Sequence, residues 1–212
     1  MALDNALITN RLEIVEAGLI FILSHFGEPI GPRTIAVGDK FGIEVSSIAD
    51  IMYWCKRGNF IDCRISAYLN YSDSCINKSI APSQLLVDID RNQFDTNELF
   101  ELAGENTYSN FQNMLGCEPT WLWTGGGYHF ILPQSVIKPL EEIEDFSQFS
   151  QPSRKFLEFE EQLLTYNNAD QSHSSTVSFK NMYMRIPGSL NSMMIVEMNG
   201  CVYVLVDTQG WV

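Results

Sequence analysis

The chain is short of positive charge. Thirteen Lys and Arg stand against 26 Asp and Glu, a formal charge of −13 over 212 residues, and no base lies beyond Arg185. Proteins that grip a polyanion unaided draw affinity from counterions released at phosphates and carry a basic patch to do so. The balance here argues against broad, unassisted nucleic-acid binding. Any such work needs a local positive groove and a partner for the rest of the grip. Cysteine is also sparse: Cys55, Cys63, Cys75, Cys117 and Cys201 are odd in number and form no C-x-x-C pair. That leaves neither a disulfide framework nor a standard zinc or iron–sulfur signature, and the thiols read as small buried hydrophobes in a reducing, intracellular setting. Long apolar runs are missing too. The stretch from Ala17 to Phe26 is too short to span a bilayer, and Asp4 and Glu13 flank the first apolar segment with no basic region ahead of it. No internal repeat is visible. The expectation is a soluble cytoplasmic protein without a secretory signal or membrane partner.

What is present is core-forming material. Hydrophobic residues make up 45% of the chain and charged ones 18%, with 13 Phe and 8 Tyr, which is the composition of an ordered globular protein. The length suits one domain, or one with an appended subdomain. Apolar residues recurring at three- and four-residue intervals predict a helix over residues 4–25, ended by Gly27 and Pro29. A Gly-Pro-containing loop follows, then a second helix over 45–57 with Ser46 or Ser47 as N-cap and Gly58 past its end. Alternation predicts strands over 59–68, 85–90, 120–124, 128–132, 181–186 and 194–206, the last with an Asn199-Gly200 hairpin turn. Helices are expected over 97–116 and 152–166. The mixture indicates an α/β or α+β sheet domain behind an N-terminal helical portion, residues 1–57 ahead of 58–212.

Three short segments could carry chemistry. In Val87-Asp88-Ile89-Asp90 the two acids lie two apart on a strand and so project from one face, where paired carboxylates repel unless a cation sits between them. Mg²⁺ or Mn²⁺ is the natural occupant. A solvated strand end or a helix cap explains such a pair about as often. In Trp123-Thr124-Gly125-Gly126-Gly127-Tyr128-His129 the glycines let backbone N–H groups approach an anion, and His129 would project beside the loop; the plain alternative is a hairpin turn before a core histidine. In Met184-Arg185-Ile186-Pro187-Gly188-Ser189-Leu190-Asn191 the guanidinium could hold phosphate, helped by Ser189 or Asn191. By itself that segment is simply an arginine before a turn.

Taken in order, VDID, GGGYH and MRIPGSLNS resemble the motifs of the archaeo-eukaryotic primase superfamily, and the phrases NFIDCRISAY and WTGGGYHFILP are similar to archaeal primase-like proteins. The resemblance covers about residues 28 to 192. It implies an α+β catalytic core with a central, mostly antiparallel sheet flanked by helices. By position it implies that Asp88 and Asp90 bind the catalytic Mg²⁺ or Mn²⁺, that His129 contacts the incoming nucleotide's phosphates, and that Gly126, Gly127, Arg185, Ser189, Asn191 and Arg64 complete the nucleotide site. The family's third acid falls best on Asp170, the only acid between Glu161 and Arg185. Many relatives have that acid nearer the arginine, where this chain has Ser178 and Phe179, and many carry a lysine soon after the PGS turn, where it has Met193 and Met194.

The implied activity is DNA primase or primase-polymerase nucleotidyl transfer, from NTP or dNTP to a 3′-hydroxyl on a DNA template. The implied partners are nucleoside triphosphates, single-stranded DNA or a primer-template, and a helicase or another primase subunit, in a nucleoid-associated, cytoplasmic setting. The alternatives are a weakly active or non-catalytic accessory subunit in a replication complex, and an unrelated D-x-D glycosyltransferase.

Overall fold

A computed structural model describes residues 5–26, 31–68, 84–133, 152–165, 182–192, 195–198 and 201–204. The fold is mixed α+β, with antiparallel sheets and helices. In chain order the elements are α1 (Asn5–Phe26), β1 (Arg33–Val37), β2 (Lys40–Val45), α2 (Ile48–Arg57), β3 (Arg64–Ser66), β4 (Gln84–Asp90), α3 (Asn97–Asn110), β5 (Thr120–Trp123), β6 (Gly127–Pro133), α4 (Pro152–Thr165), β7 (Tyr183–Arg185), β8 (Ile195–Met198) and β9 (Cys201–Val204). Among the described residues the strands form a four-stranded sheet ordered β2-β1-β3-β7, a three-stranded sheet ordered β4-β6-β5, and the hairpin β8-β9. Two larger sheets thus stand where one central sheet was expected.

Residues 33–45, expected as loop up to the helix start at Val45, form the β1–β2 hairpin, with Ile35 opposite Ile43 and a bulge before the Val37–Lys40 pair. The portion 1–57 is therefore not wholly helical, and its hairpin shares a sheet with β3 and β7. Arg-Thr-Ile-Ala-Val is buried along its whole length, so it lacks the alternation that marks a half-buried strand. Arg33 hides the pattern further. Its buried guanidinium donates to the Ser66 and Ala67 carbonyls at 3.0 and 2.7 Å and lies 3.8 Å from the centroid of the Phe26 ring.

Capping explains the helix starts. Ser47 Oγ accepts the Asp50 N–H at the head of α2, and Thr96 does the same for Leu99 at the head of α3. In α1 the buried Val15, Leu19, Ile22, Leu23 and Phe26 fall at helical spacing and share one core with Ile35, Ile65 and Met184 of the four-stranded sheet and with Met182 and Ile186 on either side of β7. Helix α1 also reaches the second sheet, where the His25 imidazole and the Thr120 hydroxyl hydrogen-bond at 2.7 Å.

The segment β4-α3-β5-β6-α4 is a split β-α-β arrangement in which β6 lies between β4 and β5 and runs antiparallel to both. One face of this sheet packs Val87, Ile89 and Phe130 against Phe100 of α3, Phe111 just past it and Leu164 of α4. Each of these side chains contributes roughly 1.5–3 kcal/mol by leaving water. From the other face Leu86 and Ile131 join the first core. Past Gln84, strand β4 is thus apolar on both faces through Val87 and becomes acidic on one face only at its end. Buried Gln84 fixes that start, donating to the Ala67 carbonyl at 3.0 Å and the Met184 sulfur at 3.6 Å.

Candidate functional site

The register of β4 against β6 decides what the acids face. Asp88 lies directly opposite His129, and Asp90 opposite Gly127. The imidazole Nε2 stands 3.3 Å from Asp88 Oδ2, with the side chains 6% and 17% exposed, so the pair is nearly sealed. The carboxylate faces Nε2, while Nδ1 is buried without a hydrogen-bond partner. His129, two residues into β6 and just past the glycine turn, faces the acid across the strands. Asp90 is half-buried on the same face as Asp88, about 7 Å further along the strand.

The three glycines do different work. Gly125 takes the left-handed conformation, φ 87°, and a Cβ there would come 2.7 Å from the Asn191 amide nitrogen. At Gly127 a Cβ would overlap the Ile89 carbonyl oxygen, so this residue lets β6 lie close against β4. Gly126 is open, with nothing nearer than Asn191 at 3.8 Å, while its carbonyl accepts the Arg91 N–H at 2.9 Å. Arg91 also locks the exit of β4, its guanidinium donating to Asn97 Oδ1 at 2.6 Å and the Phe94 carbonyl at 2.7 Å.

The third segment docks onto the second. The Pro187-Gly188 turn lies on α1, where Arg11 donates to the Gly188 carbonyl at 3.0 Å and Gly18 leaves no room for a Cβ beside Pro187. From there Asn191, buried, donates its amide to the Thr124 carbonyl at 3.2 Å. Ser189, expected to bind phosphate, directs its hydroxyl to the Cys63 carbonyl at 3.4 Å and serves the loop.

Arg185 is held by a residue that the sequence did not mark. Its Nη1 donates to Asp62 Oδ1 at 3.1 Å and to the Leu190 carbonyl at 3.2 Å, and the same Asp62 oxygen accepts the Ser192 N–H at 3.1 Å. Burial pushes Asp62 toward the neutral acid, but its hydrogen bonds with Ser192 and the Arg185 charge outweigh that and hold its pKa below the usual carboxylate value. Burial and the nearby Arg64 lower the Arg185 pKa, against the pull of Asp62. Arg64 sits directly opposite Arg185 across β3 and β7. Asn59, Phe60 and Asp62 all have positive φ, at 53°, 59° and 47°. For Phe60 this is a strained conformation, and such strain collects where surrounding contacts fix a functional geometry. Nothing in NFIDC announces it, because backbone hand is invisible in an alternating apolar pattern.

The structure therefore brings together Asp88, Asp90, His129 and the glycine turn, and links Asn191, Asp62 and Arg185 to that turn through the 187–192 loop, with Arg64 beside Arg185 across the strands. Asp170, Met193 and Met194 lie outside the described residues. No group of three or more His, Cys, Asp or Glu side chains converges as a metal cage among the described residues. Asp88 and Asp90 are the carboxylates there that could ligate an ion such as Mg²⁺, which ordinarily completes its shell with water and phosphates. No helix among the described residues is long and apolar enough to cross a membrane. No family model matches the chain, and neither a curated protein nor a solved structure gives a match.

Proposed function

We propose that this chain is a metal-dependent nucleotidyl-transfer domain of the archaeo-eukaryotic primase kind. One observation carries the reading: three segments that are far apart in sequence meet, with Asp88 against His129 and Asn191 seated on the Gly125 turn beside them. Asp88 and Asp90 would hold Mg²⁺ or Mn²⁺. Such an ion supplies charge neutralisation at the triphosphate and a lowered pKa for the attacking 3′-hydroxyl.

The chain's own residues supply position. His129, packed against Asp88 across the strands, would hold that carboxylate in place. The Gly125–Gly127 turn offers backbone at the Asp90 end of β4, where Gly127 pairs with Asp90. Arg185, poised by Asp62 and facing Arg64 across the strands, offers a guanidinium for phosphate. In a site this enclosed, fixed dipoles and charges act more strongly than in water.

A second reading, a primase-like accessory subunit without efficient catalysis, draws support from the acidic charge of the chain and from Met193 and Met194 standing where many relatives of the resembled family carry a lysine. The discriminating test is Mn²⁺-dependent incorporation of NTP or dNTP on a primed single-stranded template. We expect activity in the wild type and a loss of at least about a hundredfold in Asp88→Ala. Incorporation that survives Asp88→Ala rejects the polymerase reading, and failure of the wild type to bind Mn²⁺ and triphosphate by titration calorimetry favours the accessory one.

A further inference from the structure

Charge is unevenly distributed along this acidic chain. Residues 31–68 hold five bases, Arg33, Lys40, Lys56, Arg57 and Arg64, against four acids, Asp39, Glu44, Asp50 and Asp62, so they carry +1 while the other 174 residues carry −14. Three of those bases are exposed and gather about an aromatic pair on α2. Tyr53 is 53% exposed. Its ring meets Trp54 edge-on, with centroids 5.4 Å apart and planes at 79°. The Arg57 guanidinium lies 5.6 Å from the centroid of each ring and donates to the Tyr53 hydroxyl at 2.8 Å, while Lys40 of β2 stands 6.0 Å from the Trp54 ring. Lys56 follows Tyr53 by three residues and so shares its side of the helix. Among the nearby acids Asp50 is engaged by the Ser47 hydroxyl at 2.7 Å.

A tyrosine held rigid at the surface, with cations already placed around it, costs little entropy to use. Its ring face suits a stacked base and its neighbouring cations suit the phosphates on either side, which is how proteins hold single strands without reading sequence. The acidic remainder of the chain repels a polyanion and leaves this face as its landing place. The helix also runs directly into the strained corner Asn59–Asp62, so Arg57 is five residues from the carboxylate that holds Arg185. We propose that the Tyr53, Lys56 and Arg57 face of α2, with Lys40 beside it, docks single-stranded DNA. That the strand serves as template rests on the polymerase reading; the docking itself does not.

The test is fluorescence anisotropy with a labelled oligothymidylate of about a dozen residues and the full chain, from about 0.05 to 0.2 M salt. We expect salt-dependent binding that weakens about tenfold in Tyr53→Ala. It should persist in Tyr53→Phe, which keeps the ring, and Arg57→Ala should lower the slope of log affinity against log salt by about one. Equal binding by wild type and Tyr53→Ala, no binding by the wild type at the lowest salt, or tighter binding of the matching duplex or oligoribonucleotide overturns the proposal. Asp88→Ala separates the two ideas, because it should bind the oligonucleotide like the wild type whether or not incorporation depends on Asp88.

Discussion

Asp62 offers the sharpest perturbation, because its charge, its hydrogen bonds and its backbone conformation can be removed separately. Asp62→Asn retains an acceptor oxygen for Arg185 and Ser192 and tolerates the left-handed φ of 47°, so it deletes the charge alone. With both partners nearly sealed, at 11% and 12% exposed, deleting the charge should destabilise the chain by about 1–2 kcal/mol. Asp62→Gly removes the acceptor but suits the conformation, for about 2–3 kcal/mol, and Asp62→Ala removes the acceptor and adds left-handed strain, for about 3–4 kcal/mol. The assay is urea unfolding of each variant, read as midpoint at constant slope.

The pH dependence supplies an independent check. The folded pKa of Asp62 lies below its unfolded value, so its charge stabilises the protein fully above the ordinary carboxylate value and progressively less as pH falls through the folded one. The gap between wild type and Asp62→Asn should be flat from about pH 8 down to about pH 5 and then close. An order other than Asn, Gly, Ala, or a gap that widens on acidification, would show that Asp62 does not act through Arg185 and the 187–192 loop.

Two further outcomes follow from close contacts and burial. Gly127→Ala should lower stability by at least about 2 kcal/mol because its Cβ would overlap the Ile89 carbonyl, whereas Gly126→Ala, in open space, should stay within about 0.5 kcal/mol by thermal melting. In native protein a thiol reagent should modify exposed Cys117 and spare Cys55 and Cys63 until denaturant is added. Both spared residues are buried, and a hydrogen bond with Cys55 together with burial pushes the Cys63 thiol well up. Prompt labelling of Cys63 in the native state would contradict that burial.

Much was legible in the chain because it is written in local terms. The α2 cap, the apolar stripe of α1 and the strand over 85–90 depend on neighbours within a turn or on two-residue alternation, so residue order alone determined them. The same holds for the common face of Asp88 and Asp90. Harder to see were β1 and β2, since a strand buried on both faces does not alternate and Arg33 reads as a surface residue until carbonyls and a ring surround it.

What only the tertiary structure decided was which side chains meet. The β4–β6 register turned His129 onto Asp88 where a shift of one residue would have sent it to the opposite face. The positive φ values at Asn59, Phe60 and Asp62 aimed a carboxylate at Arg185, and no residue pattern records backbone hand at non-glycine positions. Pairing across 41 and 123 residues is selected by packing, which acts through space and is blind to distance along the chain.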